Sequence, residues 1–131
     1  IFGMNLNKQV IYDIIKVVKN KNIKKIILNG KINDSRQFIF IEDLISIFFK
    51  LIYNKKSFFL LNISNGKKFL IKDIISYVQK KMKIKKQIKY KNHTSPDFPI
   101  LQNTQLLKEL KHFKFESFYK SLDKTINYWT S

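Results

Sequence analysis

The chain has 131 residues, a formal net charge of +17 and no cysteine. That length fits one domain or one portion of a larger protein, and the missing cysteines exclude disulfides, thiolate nucleophiles and cysteine-based metal sites. Twenty-five lysines and 21 isoleucines stand beside no alanine and a single arginine, the composition of an A/T-rich coding sequence. The lysines recur along the whole chain without clustering, which argues against a nucleic-acid reader while leaving loose contact with polyanions at low salt.

In chain order, residues 8–22 place Val10, Ile11, Ile14, Ile15, Val17 and Val18 at helical spacing with lysines opposite, the pattern of an amphipathic helix. Residues 24–30, KKIILNG, form a short apolar run closed by Asn29-Gly30, a strand entering a turn. Residues 36–41, RQFIFI, are aromatic and β-branched and predict a strand, with Glu42 and Asp43 at the start of the helix that follows. That helix, residues 42–54, is apolar around most of its circumference, so it is expected between layers. The continuous run FFLLNI, residues 58–63, predicts a strand covered on both faces, and residues 69–82 a second amphipathic helix. Residues 86–91, KQIKYK, alternate like a half-exposed strand. Residues 92–103 form a polar loop holding both prolines, Thr104 is an expected N-cap for a short helix over 105–111, and a last helix covers 117–129. Strands alternating with helices predict an α/β fold without an internal boundary.

The usual enzymatic motifs do not appear. Gly3, Gly30 and Gly66 stand apart, so there is no glycine-rich phosphate loop, and His93 and His112 are too isolated for a metal site. Glu42-Asp43 reads as helix-start stabilisation rather than an acid/base pair. Tyr77 and Lys81 stand four residues apart on a basic helix with no Ser or Thr partner arranged upstream, and are read as chance. The longest apolar runs are too short to span a membrane and no signal peptide opens the chain, so a cytoplasmic protein is expected. A first residue of Ile suggests a start further upstream.

The ordered set IFG, IILNGKINDSRQFIFIEDLI, FFLLNISNGKKFLIKDII, SPDFPILQNTQLLKEL and SFYKSLDKTINYW resembles the C-terminal half of the NAD-dependent sugar-nucleotide epimerase/dehydratase family, the extended short-chain dehydrogenases/reductases. The resemblance covers essentially all 131 residues. It implies the substrate-binding portion of a Rossmann-type enzyme, with segments returning to the dinucleotide-binding sheet. Arg36 matches the arginine that reaches the diphosphate of a nucleotide sugar. Its planar fork of donors suits phosphate oxygens where an ammonium is a point charge, and a chance surface arginine is the plain alternative. Phe38 falls where an aromatic lies near the nucleotide, Asp97 matches the Asp-x-Pro loop, and Val10 resembles a position lining the nucleotide pocket. Strand core, plain loop and helix core are their respective alternatives.

Gln37 replaces the usual Asp, Ser64 stands for the first Gly of the Asn-Ile-Gly-x-Gly turn, and Gln102 and Gln105 replace the Asp and Lys of the helix start. His93-Thr94 occupy the place of a second phosphate-binding arginine, where His93 offers a single hydrogen bond. The resemblance further implies NAD or NADP in a longer parent and none bound by this chain alone. It also implies a missing N-terminal half that carries the Tyr-x-x-x-Lys pair and the glycine-rich loop, and a homodimeric parent. A basic polyanion-binding module and a non-functional remnant of a truncated gene are the alternatives.

Overall fold

A computed structural model describes residues 1–53, 60–91 and 99–131. Helix α1, Val10–Lys19, turns Ile11, Ile14, Ile15 and Val18 inward and leads to strand β1, Lys25–Asn29. A turn then delivers β2, Ser35–Gln37, and helix α2, Ile41–Ile52. Strand β3, Lys68–Leu70, runs without a loop into α3, Ile71–Met82, followed by β4, Gln87–Lys91. Helices α4, Thr104–Glu109, and α5, Phe118–Thr130, complete the described elements. β1 pairs in parallel with β4, Leu28 opposite Tyr90, and β2 pairs antiparallel with β3, Arg36 opposite Phe69. The result is α/β, with the parallel strands β1 and β4 joined by a long crossover, as parallel pairing requires.

The helical spacing of apolar residues explains the main core. Ile11, Ile15 and Val18 of α1 meet Ile74, Ile75 and Val78 of α3 and Leu122 and Ile126 of α5. Phe118 is the hub of the aromatic part: it stacks on Phe69 at 3.9 Å between centroids and lies 5.3 Å from Phe2 and 5.8 Å from Phe38. A second, smaller core gathers Ile39, Ile47, Leu106 and Leu110 beneath α2 and α4.

Several elements differ from the sequence expectation. The expected strand over 36–41 pairs only as far as Gln37. Beyond it Phe40 bridges Phe2, because Phe2 donates its N–H to Ile39 O at 2.9 Å and accepts from Ile41 N at 2.9 Å. Helix α2 is not enclosed between layers: Ile47 is buried, but Phe48, Phe49 and Ile52 are 52%, 59% and 71% exposed. Its apolar circumference exceeds what the small core beneath it can cover. Of the run 58–63, residues 58 and 59 lie outside the described residues; the rest pairs with no described strand, and Leu60 is 88% exposed. The N-cap of α4 is Asn103, with Thr104 the first helical residue.

Glu42 and Asp43 lie in the first turn of α2 and fasten it to α5. Lys124 Nζ bridges Glu42 at 2.9 Å and Glu116 at 3.0 Å, and Asp43 accepts the Glu116 N–H at 3.2 Å. A hydrogen bond from Lys124 holds the Glu116 carboxyl below its ordinary 4.5; burial opposes this, and Lys120 and Ser121 add to the lowering. A carboxyl depressed in the fold contributes stability above its unfolded value and loses it as pH falls through the folded one. Asp43 runs the other way, since burial raises its carboxyl against the effect of the Glu116 N–H.

Two outcomes follow for urea denaturation. Phe118→Ala should cost about 3–5 kcal/mol, the usual toll of emptying a packed aromatic site. Glu116→Gln should cost about 0.5–1 kcal/mol at neutral pH, given how exposed its lysine partners are, and nothing once the pH lies below the folded Glu116 value.

Candidate functional site

In open α/β sheets, ligands settle at the carboxyl ends of parallel strands, and a cavity of ≈ 130 Å³ lies there. Leu28 and Asn29 at the end of β1 and Tyr90 near the end of β4 form one side. Val10, at the start of α1, and Ile71, at the start of α3, supply apolar wall, while Arg36 of β2 faces the same space. Val10 and Arg36, two of the five residues singled out from the sequence, are therefore brought together.

The turn between β1 and β2 shapes this cavity. Asp34 N donates to Lys31 O at 3.0 Å, Lys31 N donates to the Asp34 carboxylate at 3.2 Å, and Asp34 O accepts from Ile71 N at 2.9 Å. One residue thus ties the turn to itself and to the start of α3. Gly30 is required at the closing point, where an added Cβ would run into the Asp34 carboxylate. Arg36 Nη1 donates to Ser35 O at 2.9 Å, which directs the guanidinium.

Lys31 and Lys72 also line the cavity. With Arg36 against Asp34 they make it net positive by two charges, a setting for an anion. Neither lysine carries a sequence signal, because lysine is everywhere in this chain. The cavity is smaller than the roughly 300–1,000 Å³ of a small-molecule pocket. It adjoins an apolar groove of ≈ 480 Å³ along α1 and β1 that shares Val10, Leu28 and Ile71 with it. Together they offer a charged end and an apolar end to one ligand.

Phe38 is placed in the aromatic core, 7% exposed, in edge contact with Phe2. His93 and Asp97 lie outside the described residues. The chain on either side of them is anchored: Gly30 N donates to Lys91 O at 3.0 Å, and the Gln37 amide accepts from Leu101 N at 2.7 Å and donates to Leu101 O at 3.2 Å. Gln37 also donates to Ser64 Oγ at 2.9 Å, and that hydroxyl accepts from Gly66 N at 3.0 Å. Two departures from the family pattern, Gln37 and Ser64, are thus bonded to each other. Gly66, at φ +72°, takes the left-handed turn that glycine favours.

The Tyr77–Lys81 pair is structural. Tyr77 donates to Asp123 Oδ1 at 2.8 Å and Lys81 bridges Oδ2 at 2.8 Å, tying α3 to α5. Burial and then the bond to Asp123 raise the Tyr77 phenol, the wrong direction for a base. Among the described residues no group of three His, Asp or Glu could hold a metal ion, and no helix is long and apolar enough to cross a membrane.

No family model matches the sequence, and no curated protein does. Solved structures do. A UDP-N-acetylglucosamine 4-epimerase from Methanobrevibacter ruminantium, in complex with UDP-N-acetylmuramic acid, superposes with a TM-score of 0.80 over 98% of this chain and 43% of its own, at 19% identity. The chain has the fold of the C-terminal portion of the NAD-dependent sugar-nucleotide epimerases and dehydratases. RMD from Pseudomonas aeruginosa, complexed with NADPH, matches at 0.82 over 97% of this chain and 44% of its own, with 17% identity. A dTDP-glucose 4,6-dehydratase from Bacillus anthracis, in complex with NAD, matches at 0.81 over 98% and 41%, with 14% identity. The chain therefore spans about two fifths of the length of these epimerase and dehydratase structures.

Gln37→Ala, which strips Leu101 and Ser64 of their shared partner, should lower stability by about 1 kcal/mol, and Gln37→Asn, too short to reach both, should recover little of it; urea midpoints measure both.

Proposed function

We propose that this chain is the nucleotide-sugar-binding portion of an NAD(P)-dependent sugar-nucleotide epimerase, dehydratase or reductase. The observation that carries the reading is the meeting of Arg36 and Val10 in one net-positive cavity at the carboxyl ends of β1 and β4. Arg36 binds the diphosphate through its guanidinium fork, and Val10 with its apolar neighbours takes the nucleoside side. His93 and Asp97 complete the phosphate and ribose contacts in this reading. Phe38 supports β2 from within the core.

The residues of this chain do not fit a dinucleotide cofactor. Gly3, Gly30 and Gly66 are far apart in sequence and cannot form the run of close backbone approaches that a pyrophosphate needs at a strand-to-helix turn. NAD or NADP belongs to another portion of a longer chain, together with the proton-transfer residues, so residues 1–131 alone are inactive. The exposed apolar face of α2, with Ile45, Phe48, Phe49 and Ile52, is where that portion packs, since an apolar surface of this kind is unfavourable in water. The whole enzyme acts in the cytoplasm as a homodimer paired through its other portion.

The test is calorimetric titration of the full-length protein with a panel of nucleoside-diphosphate sugars. One of them should bind, and Arg36→Lys should weaken it about tenfold or more, because a point charge replaces a two-pronged donor. Equal affinity for the Arg36→Lys protein would overturn the assignment. A polyanion-binding module would instead show a steep salt dependence shared among many lysines.

A further inference from the structure

We infer that Lys72 is the second phosphate-contacting cation of this site, so that Arg36 and Lys72 grip neighbouring phosphoryl groups of one diphosphate. The inference rests on the nucleotide-sugar reading and adds to it a residue that no motif marks. Lys72 lines the same cavity as Arg36, yet the two reach it from different elements. Arg36 is opposite Phe69 in the β2–β3 pair. Lys72, three residues after Phe69 and already in α3, donates from its Nζ to Asn33 Oδ1 at 3.3 Å. Two long cationic side chains reaching one cavity from a strand and from the first turn of a helix suit two linked phosphoryl groups better than one.

Lys72 is distinguished from Lys31 by its support. It stands in the first turn of a twelve-residue helix whose start is fastened to the β1–β2 turn by Ile71 N donating to Asp34 O at 2.9 Å, and it is half-buried. Lys31 is an exposed residue of the turn. The bond to Asn33 is long and exposed, so an incoming phosphate, a charged acceptor, displaces it at little cost.

The chemistry separates the two cations. A nucleoside monophosphate presents one phosphoryl group, within reach of Arg36 alone, whereas a diphosphate engages both. Full-length protein is titrated with matched nucleoside mono- and diphosphates, as wild type and as Lys72→Gln, Lys72→Arg and Lys80→Gln. Lys80 is an exposed residue near the far end of the same helix, and its variant reports the general field of the chain's positive charge. Lys72→Gln should weaken the diphosphate roughly tenfold and the monophosphate less than twofold. Lys72→Arg should restore diphosphate binding, and Lys80→Gln should stay within twofold. Wild-type binding of diphosphate with an unchanged Lys72→Gln protein overturns the role of Lys72 and leaves the nucleotide-sugar reading standing. Equal losses for Lys72→Gln and Lys80→Gln overturn it as well, as a field effect. A wild-type protein that binds no nucleoside diphosphate, with or without its sugar, overturns both.

Discussion

Leu70 is at once the last residue of β3 and the N-cap of α3, and the geometry of the site depends on that economy. With no loop between strand and helix, the register of β3 against β2 also sets where α3 begins. The Ile71 N–H, which the helix itself leaves without a partner, is spent on Asp34 O. Asp34 in turn closes the β1–β2 turn around Lys31. Strand pairing, helix start and turn are thereby one hydrogen-bonded unit, and the cavity with Arg36 lies along its seam.

The packing behind this unit is aromatic and asymmetric. Phe118 meets Phe69 of β3 and Phe38 and Phe2 from the other side, so α5 braces the strand pair that carries Arg36. The ion-pair cluster of Glu42, Glu116 and Lys124 ties α5 to α2 at the surface, where such pairs fix orientation more than they add stability. α2 itself is only half used: Ile47 faces the smaller core and the opposite apolar face has no cover among the described residues. A helix apolar on nearly all sides is of the kind usually enclosed in a fold.

Much of the element order was legible because burial here is one-sided. α1, α3 and α5 each turn one stripe inward, and that stripe repeats with the helical period in the sequence. The misreadings share a physical source: β-branched and aromatic runs announce burial but not a partner. Residues 38 and 40 are buried in an aromatic cluster and residue 39 in the smaller core, rather than all paired as one strand, and the described part of 58–63 has no strand beside it. In the site, Arg36 stood out as the lone arginine and Val10 through the resemblance. Lys72 and Lys31 could not stand out among twenty-five lysines. The hydrogen bond between Gln37 and Ser64 had a trace in the sequence, since both depart from the family pattern, but nothing there said that the departures touch.

Sequence by itself determined the alternation of helices and strands, the missing thiol and glycine-loop chemistry, and the one position able to offer a guanidinium. These are local properties, set by side-chain type and period. Tertiary structure alone decided that residues 10, 36, 72 and 90 share a cavity, that α2 keeps one apolar face in water, and that Tyr77 and Lys81 serve a carboxylate on α5. Each of those depends on which distant segment a strand pairs with or a helix packs on, and that choice is made by the whole chain competing for one core.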